Sequence, residues 1–358
     1  MTSQASTGLN EEAVEQFAGQ VFADLSSVFS GAMTLVGHRL GLYQALAEGG
    51  PQTSTELARR TGTHERYVRE WLHCQRAGGY LSYEPVSARF AIPAEHAMVL
   101  AAEESPAFLA PAFEVASAIW HGAERLGDSF RTGHGIGWAD HHASLFCGTE
   151  AFFRNGYRQH LTTTWIPALD GVDERLRAGA SVADVGCGHG ASTIVMAQAY
   201  PRSRFVGFDL HEESIRIARE RAEEAGVQDR VRFEVASAAE FPGGAYDLIC
   251  FMDAFHDLGD PVQAAAHSLE RLAGDGTLML VEPRAAAAIE DNTGLVARMY
   301  YAASTALCTP NALSQSGRLV LGAQAGPEQL KQTLAVAGFS HTRVVAETPF
   351  NLVIEGRR

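Results

Sequence analysis

A glycine-rich segment carries the residues whose spacing most clearly implies ligand chemistry. Asp184, Gly186, Gly188 and Gly190 alternate where an apolar, β-type run turns into a helical pattern. Glycines at such a turn permit a tight backbone and let a ligand approach it closely. Asp209 ends the next apolar run, where a carboxylate can accept both hydroxyls of a ribose. The segment therefore predicts a site for a nucleoside-containing ligand.

The same segment indicates which nucleoside. Dinucleotide-binding loops use a GxGxxG spacing to place a pyrophosphate on a helix N-terminus. Here the spacing is GxGxG, and an acid, Asp184, precedes it. S-adenosylmethionine carries no phosphate, and its ammonium and sulfonium are cationic, so an acidic loop complements it. The spacing and the acid favour S-adenosylmethionine over NAD.

With these motifs, residues 181–283 resemble the core of a class I S-adenosylmethionine-dependent methyltransferase. Tyr246–Ile249 resembles the fourth strand of that fold, and Gly274–Thr277 the turn before the fifth. The whole chain resembles a bacterial subgroup with an N-terminal winged helix, built like the small-molecule O-methyltransferases of plants and of polyketide pathways. Some members are labelled transcriptional regulators. The resemblance implies a Rossmann-like, seven-stranded α/β sheet and methyl transfer to a small molecule, most simply to a hydroxyl oxygen, with nitrogen and carbon left open.

The resemblance also assigns cofactor contacts. It places Leu210 beside the ribose acid, Asp253 after the fourth strand, and Ser237 and Ala238 at the adenine. Ser237 stands where the family usually has an acid, which leaves the contact to the adenine amine open. Tyr157 lies in a stretch that resembles the helix closing over cofactor and substrate. Plain helix packing is the alternative for Tyr157.

The catalytic candidates follow the predicted fourth and fifth strands. In the O-methyltransferases that this region resembles, a His-Asp pair such as His256-Asp257 supplies the general base, and imidazole has a suitable pKa near neutrality. Glu282 resembles the glutamate that orients that histidine. Two alternatives stay open: His256 is a structural contact, or His256 and Asp257 bind a metal with a third ligand that the sequence does not identify.

The elements that must position these residues alternate between strands and helices from residue 181 onward. The apolar runs are Ser181–Val185, Phe205–Phe208, Val231–Val235, Asp247–Met252 and Thr277–Val281. Helical patterns between them predict a parallel sheet with crossover helices. His341–Ala346 and Leu352–Glu355 have no helix between them, which suits an antiparallel edge pair. Residues 94–180 are predicted to be mostly helical, with a break at Gly133–Gly137.

The N-terminal part has the element order of a winged helix-turn-helix. Residues 11–50 are predicted to be helical, and Thr53 and Glu56 then form a capping-box pattern for a helix that ends at Gly62. Thr63 is predicted to cap the next helix. Tyr80–Ile92 alternates loosely and predicts a strand hairpin.

Charge and composition limit the kinds of partner that the protein is expected to bind. The 358 residues are 46% apolar. The formal charge of −14 disfavours nonspecific binding to nucleic acid or to anionic lipid. Acids nearly balance bases across residues 51–95, so nucleic-acid binding is not expected; a DNA-binding regulator with S-adenosylmethionine as effector is the alternative function. An apolar stripe from Val14 to Phe29 and a charge-free stretch at Leu25–Gly37 predict a homodimer.

The organisation follows from these patterns. We expect a winged-helix and dimerisation domain at 1–120, a helical linker and substrate-pocket region at 121–180, and a methyltransferase domain at 181–358. Met1–Glu15 is polar and acidic, without the features of a signal peptide. Five scattered cysteines without a CxxC spacing argue against a structural zinc site or disulfide framework and predict a cytoplasmic protein. The charge-free stretch Leu25–Gly37 is too short to span a membrane.

Overall fold

A computed structural model describes residues 9–317 and 319–358. Residues 1–8 lie outside the described residues. They include the beginning of the predicted first domain and most of Met1–Glu15, the stretch without signal-peptide features. The chain divides into two compact units, the first ending at Phe113 and the second spanning Glu114–Arg358. Within the described residues, no helix has the length and apolar character needed to cross a membrane.

The first unit has the predicted winged helix-turn-helix order. Its helices are α1 (Glu11–Arg39), α2 (Leu42–Gly49), α3 (Ser54–Thr61), α4 (Glu65–Ala77) and α5 (Ala94–Leu100), and its hairpin pairs β1 (Ser82–Glu84) with β2 (Arg89–Ala91). One cap differs from the prediction. His64, not Thr63, caps α4: its Nδ1 accepts the Arg66 N–H at 3.3 Å, whereas the Thr63 hydroxyl contacts the Thr61 hydroxyl at 2.8 Å.

The predicted capping box at the start of α3 is confirmed. The Thr53 hydroxyl accepts the Glu56 N–H at 3.3 Å, and the Thr53 N–H donates to Glu56 Oε2 at 2.9 Å. The Glu56 carboxylate also accepts from Arg89 of β2 at 2.7 and 2.8 Å. One side chain therefore joins the helix start to the hairpin.

We expect Thr53→Ala to lower the free energy of unfolding of the first unit by about 0.5–2 kcal/mol, because an alanine N-cap leaves a helix N–H without its acceptor. Chemical denaturation followed by circular dichroism measures this loss. Thr53→Ser, which keeps the hydroxyl, should stay close to wild type. Equal loss in both variants would show that the threonine methyl, rather than the cap, stabilises this corner.

Helices dominate the chain before the large sheet. They are α6 (Ala112–His121), α7 (Ala123–Thr132), α8 (Ser144–Gly156), α9 (Ile166–Ala168) and α10 (Val172–Ala178). A π-helix, Tyr157–Trp165, joins α8 to α9. Such wide turns are uncommon and occur often at functional sites. The predicted break is present, since Gly133 ends α7 in a left-handed conformation with φ +74°.

The predicted Rossmann-like, seven-stranded sheet is confirmed, with strand order β5-β4-β3-β6-β7-β9-β8. The strands are β3 (Ser181–Val185), β4 (Arg204–Asp209), β5 (Val231–Val235), β6 (Tyr246–Met252), β7 (Leu272–Pro283), β8 (His341–Glu347) and β9 (Asn351–Arg357). The first five run parallel, and β9 is antiparallel to both β7 and β8. The crossover and following helices are α11 (Ala191–Ala199), α12 (Glu212–Glu224), α13 (Pro261–Arg271), α14 (Gly294–Ala303), α15 (Thr309–Ser314) and α16 (Gly326–Val336).

Strand register decides which residues share the functional edge. Val185 of β3 lies opposite Phe208 of β4 and Phe251 of β6. The residues that follow these three positions therefore leave the sheet at one level, on its carboxyl edge. In open α/β sheets ligands bind outside this edge.

Candidate active site

One large cavity opens at the carboxyl edge of the sheet, with a volume of about 1110 Å³. The ends of β3, β4, β5 and β6 form its floor, and α8 and α15 contribute further walls. The cavity brings together most of the predicted cofactor residues, namely Gly186, Gly188, Asp209, Leu210, Ala238, Asp253 and Tyr157.

The glycine loop needs glycine for different reasons along its length. Gly186, Gly188 and Gly190 all have positive φ, of +76°, +52° and +77°. A Cβ on Gly186 would lie 2.6 Å from the Cβ of Ala254, and one on Gly190 would lie 2.6 Å from the Phe233 ring. Gly188 has nothing within 4 Å of that position, so its backbone faces open space. A ligand can therefore approach the loop most closely at Gly188.

The Asp209 carboxylate lies beside that opening. Its Oδ2 accepts the Gly188 N–H and its Oδ1 accepts the His211 N–H, each at 2.9 Å. Burial raises the pKa of Asp209, and these backbone hydrogen bonds oppose the rise. The carboxylate is held rigidly while it still lines the cavity.

Asp184 departs from the prediction that it complements a cation from the loop. It is fully buried and does not line the cavity. Its Oδ2 accepts the hydroxyls of Ser192 and Thr193 at 2.6 and 2.7 Å, which ties β3 to the start of α11. The side chain therefore supports the loop from beneath, because residues inside a parallel strand are covered on both faces.

Only some of the residues around the predicted adenine position line the cavity. Val235, Ala236 and Ala238 line the cavity, whereas Ser237 does not. Leu210 is 63% exposed and lies in the cavity wall. These cavity-lining residues are apolar.

At the end of β6, Asp253 and Tyr157 meet. The Tyr157 hydroxyl donates to Asp253 Oδ2 at 2.9 Å, and the Asn351 side-chain amide donates to Asp253 Oδ1 at 2.7 Å. Tyr157 also stacks on Phe153 at a centroid distance of 6.2 Å, and both rings line the cavity. The π-helix thus presents a tyrosine to the same wall as the β6 carboxylate.

His256 and Glu282 form a buried pair. His256 Nδ1 donates to Glu282 Oε2 at 2.6 Å, and Glu282 Oε1 accepts the Phe255 N–H at 3.0 Å. This fixes the ring and turns Nε2 toward Asp257 and Cys308, 3.4 Å from Asp257 Oδ1. Burial by itself would lower the pKa of His256, but the charges of Glu282 and Asp257 outweigh it and raise that pKa well above its ordinary value. Asp257 lines the cavity, and His256 lies behind it.

Sequence reasoning missed the third member of this cluster. Ligand atoms of His256, Asp257 and Cys308 all lie within 4.8 Å of one another, so these side chains could hold a metal ion. Cys308 comes from the segment between β7 and α16, and no local spacing in the sequence links it to His256. Only the folding of that segment over the sheet edge brings the thiol into place.

A second missed feature is the clamp between the glycine-rich break and α15. The Ile136 N–H donates to Pro310 O at 2.9 Å, and the Trp138 N–H donates to Asn311 Oδ1 at 3.0 Å. A Cβ on Gly135 would lie 2.1 Å from the Ser314 nitrogen, so only glycine fits there. The clamp brings Trp138 and Asn311 into the cavity wall.

In the winged helix, the second helix of the motif shows paired charges. On α4, Arg66 contacts Glu70 at 2.6 Å and Arg69 contacts Glu65 at 2.7 Å. Alternating, self-paired charge is typical of a solvated helix surface. It differs from the basic face that a DNA-reading helix usually presents.

Two family models match the chain. Residues 29–102 match the Rv2258c-like winged HTH domain, and residues 176–338 match a methyltransferase domain. Among solved structures, the mitomycin 7-O-methyltransferase superposes with a TM-score of 0.71 at 20% identity, covering 98% of this chain and 100% of that one. Human N-acetylserotonin methyltransferase, solved with SAM, gives 0.67 at 17% identity and covers 99% of each chain. At these identities the superpositions establish the fold.

Curated relatives match over shorter segments. The 27-O-demethylrifamycin SV methyltransferase of Amycolatopsis mediterranei is 34% identical over 107 residues, 29% of this chain and 39% of that protein. The erythromycin 3''-O-methyltransferase of Saccharopolyspora erythraea is 34% identical over 121 residues, 30% of this chain and 37% of that protein. The chain thus spans less than half the length of these relatives. From the two family matches and the sheet order, this chain is a two-domain protein in which a winged helix-turn-helix domain precedes a methyltransferase domain of the class I fold.

Proposed function

We propose that this protein transfers the methyl group of S-adenosylmethionine to a small molecule, with a hydroxyl oxygen as the acceptor. The observation that carries the proposal is a single cavity lined by both the glycine loop with Asp209 and by Asp257, the neighbour of the His256–Glu282 pair. This proximity supports a site that combines cofactor recognition with a proton acceptor.

The residues present fit the cofactor. Asp209 receives the ribose hydroxyls, the open backbone at Gly188 accommodates close approach, and Leu210 and Ala238 flank the adenine. Gly186 and Gly190 shape the loop, and buried Asp184 braces it. When bound, S-adenosylmethionine supplies an electrophilic methyl group on a sulfonium. Ser237 is the weakest member of the predicted set, since it lies outside the cavity wall.

His256 is proposed to accept the proton of the acceptor hydroxyl. Glu282 holds Nδ1–H and stabilises the imidazolium, so Nε2 is the basic nitrogen. An acceptor must enter beside Asp257 to reach it, because Asp257 lines the cavity in front of His256. The acceptor oxygen bonds to the methyl carbon as the carbon–sulfur bond breaks, and its proton moves to Nε2.

The helical region proposed at 121–180 encloses the acceptor end. Trp138, Phe146 and Phe153 from this region line the cavity, as do Asn311 and Gln315. Aromatic faces and amide groups suit a ring-containing acceptor with polar substituents. Two curated relatives are named for rifamycin and erythromycin substrates, which supports a role in secondary metabolism.

We further propose a homodimer formed through α1. Phe17, Phe22 and Phe29 are 65%, 72% and 68% exposed on this helix. Such a long apolar surface rarely stays in water on a monomer. Two copies of one helix stripe can bury each other across a two-fold axis, which makes a second copy of the chain the simplest partner.

The five cysteines, all free thiols, support the proposed location in a reducing cytoplasm.

We expect Phe22→Asp with Phe29→Asp to dissociate the dimer, because two charges would have to be buried in its apolar interface. Light scattering coupled to size exclusion measures the mass. Gln16→Glu with Gln20→Glu adds the same charge on the opposite, polar face of α1 and should remain dimeric. A phenylalanine double variant that keeps the dimer mass would place the interface elsewhere.

A further inference from the structure

Asp253 is a partly buried carboxylate in the cavity wall, and the methyl-transfer step leaves it without a role. Its backbone has φ +52°, a conformation that residues with a side chain rarely adopt. Its N–H donates to Val281 O at 2.7 Å, which holds that backbone against β7. Together with the two side-chain donors of Tyr157 and Asn351, these contacts aim one carboxylate at the cavity wall. Strain of this kind is usual where a group must be positioned for a ligand.

The sheet order decides which end of the ligand reaches Asp253. β3 lies between β4 and β6, so Asp209 and Asp253 flank the glycine loop, about 10 Å apart at two strand spacings. The apolar adenine side, around Val235 and Ala238, lies beyond Asp209 on the β5 side. A nucleoside with its ribose on Asp209 can therefore extend only across the loop toward β6. In S-adenosylmethionine that extension is the sulfonium and the amino-acid group.

The surroundings of Asp253 disfavour its charge while the cavity holds no cation. Burial and, after it, the charge of Glu282 on β7 raise the pKa of Asp253 to about 8, although His256 and the donors Tyr157 and Asn351 oppose the rise. Burial and the nearby Asp253 charge both raise the pKa of Tyr300 on α14. Most of the Asp253 carboxyl is therefore protonated at pH 7. A cation in the cavity reverses this balance.

We infer that Asp253 recognises the positive charge of the bound cofactor, and that binding S-adenosylmethionine therefore releases a proton from this residue to solvent. The inference rests on the proposed function. The neutral acid and the cationic ligand become a carboxylate–cation pair plus one free proton. Methyl transfer turns the sulfonium into a neutral thioether, so the carboxylate loses part of its partner and takes a proton back. Asp253 thus favours the methyl donor over the spent product.

Calorimetry of the full chain tests this directly. S-adenosylmethionine is titrated at pH 7 in phosphate and in Tris, whose ionisation enthalpies differ, and the slope of the observed enthalpy gives the protons released. We expect about one proton per site for wild type, from a group with a pKa of about 8. Asp253→Asn should release close to none, and should lose more affinity for S-adenosylmethionine than for S-adenosylhomocysteine.

Two controls assign the proton. His256→Ala should keep the wild-type release, which would separate Asp253 from His256, one of the other titratable groups near the cavity besides Asp209 and Asp257. Glu212→Gln changes an exposed acid in the same cavity and should also keep it. If wild type binds S-adenosylmethionine but its observed enthalpy does not change with the buffer, the inference is overturned and the proposed function stands. This outcome needs no variant, so it holds even if Asp253→Asn fails to fold. Unchanged release in Asp253→Asn would overturn it equally. No binding of S-adenosylmethionine at all would instead reject the proposed function itself.

Discussion

Replacing His256 with alanine should lower the turnover number by roughly 10²–10⁴-fold, the usual contribution of a positioned general base. Affinity for S-adenosylmethionine should remain nearly intact, because His256 lies behind Asp257 and outside the cavity wall. The measurement is steady-state kinetics with an acceptor found by screening hydroxylated aromatic compounds. Calorimetry of the same variant supplies the affinity.

The pH dependence gives this prediction a second readout. A base works only when unprotonated, and the charges of Glu282 and Asp257 raise the pKa of His256 despite its burial. Activity should therefore rise with pH through a value above the ordinary histidine range. Glu282→Gln removes one of those charges, so its profile should shift to lower pH, with a smaller loss of turnover than His256→Ala.

Near-normal turnover in His256→Ala, with an unchanged pH profile, would show that the histidine is structural. Activity that chelators abolish and a divalent metal restores would instead indicate that the His256–Asp257–Cys308 cluster works with a metal ion. In that case Cys308→Ser should be impaired as strongly as His256→Ala.

Asp209→Ala should weaken binding of S-adenosylmethionine by a hundredfold or more. The variant loses two hydrogen bonds from the ribose to a charged acceptor, each contributing about 1.5–3 kcal/mol. It also frees the Gly188 N–H, which Asp209 now holds at 2.9 Å, so the loop itself loses support. Calorimetric titration measures the change.

Two companion variants separate these effects. Asp209→Asn keeps one oxygen for the Gly188 N–H and loses the charge, so its affinity should fall between wild type and Asp209→Ala. Glu212→Gln alters an exposed acid of the same cavity and should bind as wild type does. Undiminished binding by Asp209→Ala would contradict the ribose assignment.

The sequence predicted the sheet well because its signals are local. Each strand of the parallel core is an apolar run, and the glycine loop lies directly at a strand end, so spacing along the chain translates into position at the edge. The contact between His256 and Glu282 could also be predicted, because β6 and β7 are neighbouring parallel strands whose carboxyl ends lie side by side. These inferences need only strand order and register.

What depends on side-chain direction or on distant segments could not be predicted. Asp184 belongs to the loop motif, yet strand alternation turns it inward, to Ser192 and Thr193. Cys308 reaches His256 through the path of a long connection that no short motif encodes. The Asp253 conformation, with its positive φ, is set by Val281 and Asn351 from two other strands. Such contacts arise only when the whole unit folds.

The most direct test of the proposed cofactor is a calorimetric titration of the purified full chain with S-adenosylmethionine and, separately, with NAD. We expect saturable binding of S-adenosylmethionine at one site per chain and no binding of NAD, because the loop offers an acid for the ribose and no GxGxxG spacing for a pyrophosphate. Saturable binding of NAD, or no binding of S-adenosylmethionine by the folded protein, would contradict this expectation.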